Sequence, residues 1–87
     1  MVASLRCNEL KEEALARVEG MIERLRQRCE NERVDNFGEE CRRIVIHAAA
    51  HYDEYGKHYE KGVYEKIRRE LIHLTLLQQS LFLCFDS

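Results

Sequence analysis

Residues 56–62 read GKHYEKG, two glycines bracketing five polar or amphipathic residues. The fold turns on this stretch. If helix runs through it, the residues from about 37 to 84 form one rod of about 48 residues, near 70 Å long at about 1.5 Å per residue. If helix stops at Gly56 and restarts at Gly62, the same residues fold back as two helices that cover each other's apolar stripes. A glycine costs a helix interior about 1 kcal/mol against alanine, and two so close together favour the break. A rod would also leave half its apolar stripe bare unless another chain covered it. The sequence therefore predicts an all-α fold, an antiparallel three-helix bundle. The alternative is a helical hairpin whose fused second and third helices form a dimerising rod.

Upstream of this stretch, Cys7, Leu10, Ala14, Val18, Met21 or Ile22, Leu25 and Cys29 recur at steps of three and four, the apolar stripe of an amphipathic helix. Gly20 interrupts it, either as a tolerated cost or where a neighbouring helix comes close. "NERVDNFGEE" (residues 31–40) breaks the pattern. Asn36 followed by Glu39 has the form of a capping box, with Asp35 as a rival cap, so a second helix starts near residue 37. Its stripe is Cys41, Ile44 or Val45, Ala48, Tyr52, Tyr55 and Tyr59. From Val63 a third stripe runs through Ile67, Leu71, Leu74, Leu77 or Leu81, and Phe85. The expected helices are about 5–32, 37–57 and 61–84, in one domain spanning 1–87, with the third helix the most buried.

The chain has 87 residues, 45% apolar and 34% charged, a globular rather than a disordered composition. Fourteen basic and sixteen acidic residues leave a net charge near −2, and both signs are mixed along the chain. That balance argues against nucleic acid and anionic membranes as partners. The start of the chain becomes charged before an apolar run can form, so no signal peptide is expected. No stretch approaches the roughly 20 apolar residues that span a bilayer. Cys7, Cys29, Cys41 and Cys84 lack zinc-finger spacing and read as reduced thiols, which suits the cytoplasm or nucleus. The terminal "CFDS" fits the prenylation frame only formally, because Asp86 stands where that frame wants an aliphatic residue.

Three histidines crowd the approach to the deciding stretch. His47 and His51 are four apart, a spacing at which one helix face can offer two imidazoles to a metal. With about 100° per residue, His47, His51, Glu54 and His58 form one stripe beside the core stripe. They make a candidate zinc site, with His47 and His51 as ligands and Glu54 or His58 as a third. In "HAAAH" alanines replace the general-base glutamate of the H-E-x-x-H motif, so hydrolytic zinc chemistry is not expected. The leading expectation is no cofactor. Arg-x-x-x-x-His occurs twice, as Arg42/His47 and Arg68/His73, a pattern of the kind small helical ribonucleases use. It leaves a nuclease as a second alternative; the primary expectation is that the chain is not an enzyme. "RLRQR" (Arg24–Arg28) is surrounded by Glu19, Glu23, Glu30 and Glu32 and reads as a solvated helix face.

The last long stretch, "LIHLTLLQQSLFLCF" (residues 71–85), holds ten apolar residues in fifteen, more than one stripe requires. On a helical wheel Leu71, Leu74, Leu81, Phe82 and Phe85 share the core face. Ile72, Leu76 and Leu83 lie about 120° away, with Leu77 beside the first group. Two neighbouring helices cannot cover both faces, and an exposed apolar patch of several hundred Å² is rare on monomers. Ile72, Leu76, Leu77 and Leu83 are therefore the expected partner-binding residues. The expected function is a non-catalytic protein–protein assembly module that homo-oligomerises or seats a partner's amphipathic helix.

Overall fold

A computed structural model describes residues 2–83. It contains three helices, α1 (Val2–Asn31), α2 (Phe37–Gly56) and α3 (Lys61–Leu83), all packed against one another as a bundle. The break falls inside GKHYEKG: α2 ends at Gly56, residues 57–60 turn, and α3 begins at Lys61. The rod is not formed. Along the bundle α2 runs against both neighbours, and α1 and α3 run parallel. Lys11 lies opposite Glu70, and Ile22 opposite Gln78 and Phe82, at a nearly constant offset along the two chains. The extents of 46 × 21 × 16 Å match a bundle as long as its 30-residue first helix.

The turn is built by its own residues. Gly56 lies where Tyr52 and Tyr64 close over the end of α2, and a Cβ there would sit 3.3 Å from both rings. Glu60 then caps α3, its carboxylate accepting from the Val63 amide at 3.0 Å. Glutamate is not among the favoured capping residues, which is why the sequence did not point to it. At the start of α2, Asn36 is the cap residue, but its side chain does not bond the helix amides. The expected box with Glu39 is absent. Glu40 instead accepts from the Asn36 amide group at 3.2 Å, while its backbone N–H donates to the Asn36 carbonyl at 3.0 Å.

The core is led by α1. Cys7, Leu10, Ala14, Val18, Ile22 and Leu25 are buried on one stripe, with Ile22 taking the place that Met21 could have filled. From α2 come Ile44, Ala48, Ala49 and Tyr52, and from α3 Ile67, Leu71 and Leu83. The expectation that α3 would be the most buried helix fails, because α1 lies in the crevice between the other two and presents a longer buried stripe. Among the described residues no helix is long and apolar enough to cross a membrane. Phe85, expected in the third stripe, and the CFDS terminus lie outside the described residues.

Candidate functional site

On α3 the seams with α1 and α2 decide which leucines are covered. Gln79 donates to the Cys41 carbonyl at 2.7 Å, so this side of α3 faces the first turns of α2. Leu83, one turn further on, is drawn into the core that Val34, Phe37 and Cys41 pack against, and is 2% exposed. The expectation that Leu83 meets a partner is corrected by this burial: the α1–α2 connection closes over the end of the helix and uses Leu83 as core.

The opposite correction applies to Leu81 and Phe82, which were expected inside and are 68% and 55% exposed. In their place Thr75 is fully buried, its hydroxyl satisfied by donating to the Leu71 carbonyl at 2.9 Å. A threonine that bonds its own helix in this way can serve as a core residue, and nothing in its hydropathy announces it. Ile72 is half-buried at the α2 seam, while Leu76 and Leu77 are 51% and 46% exposed. The surface of α3 thus carries Leu76, Leu77, Leu81 and Phe82, with half-buried Leu74 one turn before Leu77. Leu74, Leu77 and Leu81 recur at steps of three and four, the arrangement with which one helix meets another. Beside them a shallow cleft of about 190 Å³ opens between α1 and α3, lined by Glu19, Ile22, Glu23, Gln78 and Phe82. The Gln78 side-chain oxygen is buried there without a hydrogen-bond partner.

The histidine stripe is divided among different neighbours. His51 contacts a Glu13 carboxylate oxygen at 3.4 Å and sets its ring edge-on to Tyr55, which is exposed rather than core. His47 is exposed and lines a groove with Ala16, Arg17, Gly20, Met21 and Arg24 of α1. Glu54 is exposed on the last turn of α2, and His58 stands in the turn beyond its end, off the helical register that the stripe assumed. Among the described residues no three His, Cys, Asp or Glu side chains are grouped to hold a metal ion. Of the two Arg/His pairs, Arg68 is engaged elsewhere and His73 is exposed; Arg42 and His47 are both exposed on α2.

What engages Arg68 is a polar cluster that joins α2 to α3. Its guanidinium donates twice to Asp53, at 2.8 and 3.0 Å. The Tyr64 hydroxyl donates to the same carboxylate at 2.5 Å, and the Tyr52 hydroxyl donates to the Tyr64 carbonyl at 2.9 Å. The two tyrosine rings stack with centroids 5.5 Å apart. Partial burial works against the Asp53 charge, but the bonds from Arg68 and Tyr64 outweigh it and hold the carboxyl below its ordinary range. Asp53 in turn raises the Tyr64 phenol, and burial, with the Cys7 thiol alongside, pushes up the Tyr52 phenol. The cluster gives up neither proton nor charge readily near neutrality, which suits a structural clasp.

No family model matches the chain, and no solved structure matches it. It is similar to Protein SEY1 homolog 1 and Protein SEY1 homolog 2 of Paramecium tetraurelia, 35% identical over 71 residues in each case. The aligned region takes in 82% of this chain but only 9% and 10% of the two relatives. The chain spans about a tenth of the length of the curated relatives it matches.

Proposed function

We propose that the bundle is a non-catalytic protein–protein assembly module that self-associates through the outer face of α3. The observation that carries this is the exposure of Leu76, Leu77 and Leu81 on a helix whose inner face is already occupied, with exposed Phe82 at the rim of the α1–α3 cleft. Each such side chain contributes roughly 1.5–3 kcal/mol when fully buried, before association costs are subtracted. Ile72 flanks the contact, and Leu83 acts only by holding the end of α3 in place. The seam of Leu74, Leu77 and Leu81 also suits an amphipathic helix of a partner protein. A reducing compartment, cytoplasmic or nuclear, suits its thiols.

Light scattering coupled to size exclusion tests the reading. Wild-type protein is expected to exceed the 10.4 kDa chain mass, increasingly so with concentration. Leu77→Glu and Leu76→Glu are expected to return it to one chain mass with helical content unchanged. A variant that melts the bundle instead would mark its residue as core and end the assignment.

A further inference from the structure

The three arginines of RLRQR are sorted by the fold. Arg26 turns to Glu23 and Glu30, at 2.8 and 3.0 Å, on one face of α1. Arg28 reaches Glu32 at 3.3 Å and, across to α2, Glu40 at 3.8 Å. Arg24 points the other way, into the α1–α2 groove, as does Arg17. Among the described residues neither has a carboxylate within 4 Å; the ion pairs of α1 involve other side chains. His47 faces them from α2 across a groove of about 460 Å³. The groove continues past Met21 and Arg24 into a second section of about 230 Å³ lined also by Arg28, Glu40 and Arg43, where Glu40 already pairs with Arg43 at 3.9 Å and with Arg28 at 3.8 Å.

Its floor is apolar and low, made by Ala16, Gly20 and Met21. Gly20 has no neighbouring helix against it: a Cβ there would meet only the tip of the Arg24 side chain, at 3.7 Å. The close-packing reason for a mid-helix glycine is therefore absent, and what its missing side chain leaves is space in the groove. Arg17 and Arg24 are seven residues apart, about 10 Å along the axis, which is two helical turns. Carboxylates two turns apart on a helix match that spacing.

We propose that this groove is a second docking site, for an acidic amphipathic helix of another protein. That helix would set an apolar side chain over Gly20 and Met21 and carboxylates against Arg17 and Arg24. The site lies on the α1–α2 side of the bundle and does not depend on the α3 contact.

The test is a titration of the ¹⁵N-labelled full chain with a synthetic helical peptide of about 14 residues, carrying leucines on one face and glutamates at i, i+4 and i+7. Shifts are expected at Arg17, Gly20, Met21, Arg24 and His47, with binding weakened by salt. Arg17→Glu with Arg24→Glu is expected to weaken binding about tenfold or more, and Gly20→Gln, which fills the floor, about fivefold. If the double reversal impairs folding, Arg17→Gln with Arg24→Gln is expected to weaken binding in the same direction. Absence of these shifts at about 1 mM peptide overturns the proposal. So does equal binding by the folded variants, or tighter occupation of the same residues by inorganic phosphate or a short DNA duplex.

Discussion

At Asp53 one carboxylate holds Arg68 and Tyr64 of the next helix, and its ionisation is tied to folding. Its carboxyl is lowered in the folded chain, against about 3.9 when unfolded. The resulting stability is present above that unfolded value and is lost as pH falls through the folded one. Denaturant titrations from neutral to acid pH are expected to show wild type losing an advantage over Asp53→Asn below about pH 4. Near pH 7 the substitution is expected to cost about 1 kcal/mol, since both partners are about one-third exposed and solvent screens the pair. The raised tyrosines act in the other direction. Their neutral forms favour the fold below the ordinary phenol range near 10, and that contribution fades as pH rises through the folded values. None of this was legible in the sequence, where Asp53 is one carboxylate among sixteen acidic residues and Arg68 looked like half of a ribonuclease pair. The link between them requires knowing that α2 and α3 pass each other at that point.

Two glycines in helical segments are expected to respond oppositely to the same change. Gly20→Ala meets only the tip of the Arg24 side chain, at an ordinary contact distance of 3.7 Å, and is expected to stabilise the bundle by about 1 kcal/mol. Gly56→Ala drives a methyl against the stacked Tyr52 and Tyr64 rings and is expected to destabilise by about 1–3 kcal/mol. Thermal unfolding of the two variants checks both signs. On α3, Leu83→Ala is expected to cost about 2–5 kcal/mol. Leu77→Ala in the isolated chain is expected to stay within about 0.5 kcal/mol of wild type. The periodicity of α1 predicted its buried stripe almost residue for residue, because its polar and apolar positions alternate cleanly. In residues 71–83 apolar side chains occupy nearly every face, so periodicity could not rank them. The choice there was made by Gln79 reaching Cys41 and by Thr75 satisfying its own hydroxyl. The histidine stripe was a correct wheel but assumed a helix extending past Gly56, which left His58 in a turn.

For the whole molecule, a net charge near −2 conceals a division by face. On α1 the Glu23–Arg26–Glu30 set gathers its charges into ion pairs with a net charge of −1 on one side, while Arg17 and Arg24 stand without acidic partners in the groove on the other. Counting charges along the chain could not reveal this, since residues three or four apart share a face and adjacent ones do not. The bundle thus presents two different surfaces, a cationic groove between α1 and α2 and an apolar face on α3. The apolar face is the central claim, and the solution mass across a concentration series tests it most directly. The expected result is a mass rising above 10.4 kDa for wild type and holding at 10.4 kDa for a folded variant carrying Leu77→Glu and Leu81→Glu. A wild-type mass of 10.4 kDa at every concentration, indistinguishable from the variant, would contradict it.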